Sequence, residues 1–162
     1  MAVPDQQEHI QLSNPKSFLY KTGCSFVITS QVILPEKITQ ELGIEPRRSH
    51  KKGPFRYTNQ KSDTIYTYQS HLWEISSVEA IQDQGSILPH VYYVRRMLES
   101  KLDILDQYKQ DPRYESIISI RHETETGKVG VGLNEDELAF IRRICNRFSC
   151  FLFSTSVEDS DD

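Results

Sequence analysis

Residues 24–43 read CSFVITSQVILPEKITQELG, and their hydrophobic period changes in the middle. Over the first ten residues the side chains alternate. Phe26, Ile28 and Ser30 fall on one side, Val27, Thr29 and Gln31 on the other, with the β-branched content that suits a pleated strand. From Pro35 the spacing lengthens. Proline brings a preset φ to a first helical position, Ile38 and Leu42 share a face one turn apart, and Gly43 supplies a left-handed stop. A strand running straight into a short helix therefore opens the fold.

Downstream, TIYTYQSHLWEISS (64–77) contains a second strand at Leu72–Ser77, with Trp73 and Ile75 on one face. Trp73, the single tryptophan, is expected to anchor the core. Leu88, Val91, Tyr92, Leu98, Leu102 and Leu105 predict one long helix over 87–109, stopped by Asp111 and Pro112. ESIISIRHET (115–124) and KVGVGL (128–133) read as a hairpin joined across Thr126 and Gly127. Asn134 with Glu137 forms a capping box for a third helix, whose inner stripe is Leu138, Ile141, Ile144 and Cys145. CFLFSTS (150–156) closes the chain as a last strand. The expected order is β-α-β-α-β-β-α-β, an α+β domain with helices on a mostly antiparallel sheet. The β-α units at 24–42 and 128–147 hint at a pseudo-repeat.

At 162 residues and 37% hydrophobic content the chain has the size and core material of one domain. It is expected over 18–156, between a polar leader (1–17) and a solvated acidic tail (157–162). The first residues lack the basic start and apolar stretch of a signal peptide, and no run approaches the roughly 20 apolar residues of a membrane span. A cytoplasmic location and no membrane contact are expected. Three cysteines without CxxC spacing, Cys24, Cys145 and Cys150, fit buried reduced thiols better than disulfides or zinc. Neither a metal nor a cofactor is implied.

Several short motifs fall in a characteristic sequence: ITQELGIEPRRSHKKG, LWEISS, LESKLDILDQYKQD, LNEDELAFIRRI and CFLFST. In this order they resemble the bacterial domain-of-unknown-function family 4279 over about residues 24–155. Ile44, Pro46, Ser49, His50, Lys52, Gly53 and Trp73 fall on the family's motif positions. The resemblance implies an α+β fold in a bacterial intracellular setting, and no assigned activity. A longer, Tyr-rich stretch between Gly53 and Trp73 departs from the family pattern.

The strongest candidate site is PRRSHKKGPFRYTNQKS (46–62), with Arg47, Arg48, Lys51, Lys52, Arg56 and Lys61 and no acid. Subtracting these six charges from the net −4 leaves −10 for the remainder, so any anion binding is local. Three readings stand beside one another. The run is a solvated loop balancing the acidic remainder, with Phe55 and the tyrosines folded onto the sheet. It is a contact surface for an unknown protein partner, an acidic one included, since arginine and tyrosine are favoured interface anchors. Or Arg47, Arg48, His50, Lys51, Lys52, Arg56 and Tyr57, with Phe55, Tyr66 and Tyr68, bind nucleic acid or a phosphorylated ligand by ion pairing and stacking.

Other motifs carry less. Gly127, Gly130 and Gly132 around Lys128 imitate a phosphate loop, but the following helix opens with Glu135, Asp136 and Glu137, which repel phosphate. Close approach of a helix or backbone over the bare face at Gly130 and Gly132 is expected instead. His50, His71 and His122, if they met in space with Lys51 or Arg48, would make a metal-free ribonuclease. Binding rather than catalysis is expected: an uncharacterised protein-interaction, regulatory or immunity-type module, with nucleic-acid or phosphate-ligand binding through the same loop as the alternative.

Overall fold

The computed structural model describes residues 22–58, 63–82, 85–124 and 130–154. The opening unit forms as its pattern dictates. Strand β1, Thr22–Ser30, leads through a turn held by the Ser30 hydroxyl, which accepts from the Val32 and Ile33 amides. Helix α1, Pro35–Leu42, follows and ends at Gly43, whose φ of 63° lies where a side chain would be strained.

Strands β2 (Arg48–His50), β5 (His71–Ser76), β6 (Tyr114–Thr124) and β7 (Arg147–Ser154) join β1 in one sheet of order β2-β5-β1-β6-β7. All neighbours are antiparallel except β6 and β7, which run parallel and are joined through helix α4, Glu135–Ile144. A parallel pair needs such a crossover. Strands β3 (Gly53–Thr58) and β4 (Asp63–Tyr68) form a separate two-stranded ribbon between β2 and β5 in the chain. The α+β class, the mostly antiparallel sheet and the packed helices are as the sequence predicts.

The registers Phe26↔Ile75, Ile28↔Trp73, Phe26↔Ile118 and Cys24↔Ile120 place these side chains on one face, where all are buried. Ile38 and Leu42 of α1, Val91, Val94 and Leu98 of helix α2 (Leu88–Leu98), Leu105 of helix α3 (Leu102–Gln110), and Ile141 and Ile144 of α4 complete that core. Trp73 is fully buried, and its indole N–H donates to Thr39 Oγ1 at 3.0 Å, tying α1 to β5. Such a ring finds a partner for its one donor when buried. The opposite sheet face, with Ser25, Val27 and Thr29 of β1 only half-buried, has no described helix over it.

Five details differ from the sequence expectations. The 87–109 helix is two helices broken by a 3-10 turn at Glu99–Lys101, and the apolar spacing running through Leu98, Leu102 and Leu105 masks the break. Tyr92 is on the outer side of α2; His90 is buried in its place, with Nδ1 2.8 Å from Ser77 Oγ, which itself accepts from the Cys24 amide. On α4 the capping box is present, but Leu138 is exposed and Phe140 is buried. Residues 130–134 form no strand, and a Cβ on Gly130 or Gly132 would meet nothing, so no close approach requires those glycines; the expected turn at Thr126 and Gly127 lies outside the described residues. Cys24 and Cys145 are buried, and burial pushes the Cys24 thiol up to about 12, but Cys150 is exposed on β7. No described helix is long and apolar enough to cross a membrane.

Candidate functional site

The basic run is built into strands. Arg48, Ser49 and His50 form β2, the edge strand beside β5, and Gly53–Thr58 form the first strand of the ribbon. Between them the pairing shifts: His50 faces Leu72, three residues later Gly53 faces Tyr68, and the β4–β5 side holds one extra residue. An extra residue on one strand bends a ribbon and turns its faces. Gly53, at φ 132°, occupies the bend with a conformation side chains rarely adopt, and the Lys52 amide donates to His71 Nδ1 at 3.0 Å across it.

Each described cation of the run meets an acceptor from its own chain. Arg47 donates to Glu79 (2.9 Å), Arg48 to Glu74 (2.7 Å) and Lys52 to Gln31 (2.8 Å). Lys51 pairs with Glu36 (2.7 Å) and Arg56 with Asp63 (3.5 Å). Lys51 also holds the Glu36 carboxyl below its ordinary value by hydrogen bonding. The Arg48 pair is asymmetric: the Glu74 side chain is 8% exposed and that of Arg48 61%. Lys61 lies outside the described residues. The cationic run is thus largely balanced where it stands, though exposed pairs of this kind contribute only about 0–1 kcal/mol each.

The aromatic residues do something the charges do not. On the ribbon, Phe55 faces Tyr66 and Gly53 faces Tyr68, so Phe55, Tyr57, Tyr66 and Tyr68 share one face. His50 stacks on Tyr68 with ring centroids 3.5 Å apart and an 11° interplanar angle. Tyr68 stacks on Phe55 at 4.1 Å, Phe55 on Tyr66 at 5.5 Å, and Tyr57 meets Tyr66 edge-on. The rings pack on one another, and Tyr68 joins them to the main sheet through His50 of its edge strand β2. Burial first, and the Arg48 guanidinium second, hold the His50 imidazole below its ordinary 6.5, against a hydrogen bond with the Ser70 backbone. The column ends at Tyr66, 49% exposed, beside Ile65 on the other face, 64% exposed.

Arg47, Arg48, His50, Lys51, Lys52, Arg56 and Tyr57 are therefore brought onto one edge and the ribbon rooted in it. Ile65 is missed by sequence reasoning. The alternation Phe55, Tyr57 and Tyr66, Tyr68 is the signal that would have found the ribbon, because period-two aromatics on both sides of a polar turn mark paired strands. The three histidines do not converge: His71 pairs with Ser30 at one end of β1, and His122 pairs with Thr22 at the other, about 26 Å away along an eight-residue rise. Among the described residues no cluster of three His, Cys, Asp or Glu side chains could hold a metal.

The chain matches, over residues 19–152, the family described as Domain of unknown function (DUF4279), and it belongs to that family. Neither the curated proteins nor the solved structures contain a match to it.

Proposed function

We propose that this DUF4279 member is a cytoplasmic binding module, protein-interacting and regulatory or immunity-like, that meets its partner with the β3–β4 ribbon and the basic residues at its root. The supporting observation is the stacked column from His50 to Tyr66, which leaves Tyr66 and Ile65 in solvent on a ribbon whose strands, among the described residues, pair only with each other. Rings already locked by stacking lose little rotamer freedom on contact, and exposed tyrosine beside arginine is a favoured anchor. Arg47, Arg48, His50, Lys51, Lys52, Arg56 and Tyr57 frame the contact. Lys51 and Arg56, in pairs exposed on both sides, exchange an internal carboxylate for a partner's at small cost.

Recovery of bound proteins from extract of the native cell tests this reading, with wild type beside Ile65→Ser/Tyr66→Ser and beside Arg47, Arg48, Lys51 and Lys52 all changed to Ser. Loss of the same proteins in the first variant is the expected result. An unchanged set in both variants would overturn the placement.

One observation favours nucleic acid or a phosphorylated ligand instead: Tyr66 ends the parallel stack and is half exposed, so a base could continue the column. Internal pairing of the cations weighs against it. Binding of single-stranded probes would fall with salt at a log-log slope near −0.7 per phosphate contacted; no binding at low salt excludes this reading.

A further inference from the structure

We infer that β7 is a self-association edge, where two copies pair antiparallel about Cys150 and continue one sheet across both. On its inner side β7 pairs with β6; on its outer side no described strand follows. Four of its eight residues are large, apolar and exposed on both faces: Phe148 (44%) and Leu152 (43%) on the helix side, Phe151 (52%) and Phe153 (44%) on the open side. Edge strands are commonly guarded by proline, lysine, a bulge or shortness. β7 has none of these, and its one charge, Arg147, is its first residue.

A second copy is the occupant the pattern fits. With Cys150 opposite its counterpart, Phe148 faces Leu152, Ser149 faces Phe151, and Arg147 faces Phe153. On the helix side apolar meets apolar, and on the open side arginine meets a ring, as Arg121 already does with Phe153 at 5.1 Å. Charge selects the same orientation. An in-register parallel pairing would set Arg147 against Arg147, whereas the antiparallel pairing sets it against Phe153. Such an isologous contact closes after two copies.

Sedimentation of the full chain under reducing, low-salt conditions over a dilution series should show a reversible monomer–dimer equilibrium. Phe151→Lys should leave a monomer whose thermal transition by circular dichroism is unchanged, and Leu152→Lys provides the same readout if the first variant does not fold. A short bismaleimide should trap a covalent dimer that Cys150→Ser abolishes. A monomer at every concentration, a dimer indifferent to both lysine variants, or open-ended assembly would each overturn the inference.

Discussion

At one edge of the sheet stands β2, with three residues, Arg48, Ser49 and His50, an ion pair to Glu74 and an aromatic ribbon hanging from its end. At the other stands β7, with eight residues, apolar exposed side chains on both faces and one charge. Neither has a described strand on its outer side, but shortness and charge discourage pairing at β2, while nothing in β7 does. A single sheet can thus reserve one edge for side-chain recognition and leave the other fit for strand pairing.

The contrast breaks most completely if the strand beneath the guarded edge loses its anchor. Trp73→Ala removes a fully buried ring from β5 and should cost about 3–5 kcal/mol, read as a lower denaturant midpoint, with both edges lost together. Next in size, Arg48→Ala strips the guard from β2 and leaves the mostly buried Glu74 carboxylate without its charged donor. A loss of about 1–2 kcal/mol is expected, moderated by the exposure of Arg48, in the same denaturant series.

Acidification sharpens the contrast more gently. His50 titrates lower in the folded chain than its ordinary 6.5, so its contribution is complete above that value and is lost as pH falls through the folded value. The groups around it are the Tyr68 ring, Arg48, His71 and the Ser70 backbone. Loosening of the ribbon should follow the His50 titration, seen as coincident shifts of His50 and Tyr68 ring resonances, while β7 resonances stay fixed. Smallest of all, Ile65→Ser/Tyr66→Ser should change stability by no more than about 0.5 kcal/mol, because both side chains are exposed. A large loss there would mean the ribbon supports the core rather than presenting a surface.

What was legible in the sequence follows the strength of local signals. The β1–α1 unit, the Trp73 strand and the Asn134–Glu137 cap were legible because a change of period, a proline-to-glycine span and a reciprocal pair each act over a few residues. Alternation alone does not separate a central strand from an edge, so CFLFSTS read as an ordinary strand although its aromatic residues are exposed. Charge composition likewise conceals pairing: Glu36, Glu74 and Glu79 are distant in sequence from the cations they neutralise. Tyr92 and Leu138 were misplaced for a related reason, since a buried His90 and Glu137 with local partners displace an apolar neighbour from the inward position.

The central position of β1 has a consequence for synthesis. Of the described strands it is the first to leave the ribosome, but its partners come late: Trp73 lies 45 residues beyond Ile28, and His122 lies 100 beyond Thr22. At typical elongation speeds the growing chain waits roughly 5–20 s for its second flanking strand. Throughout that interval Phe26 and Ile28 lack at least one of the two strands that flank them, so the growing chain carries uncovered apolar side chains until β6 emerges.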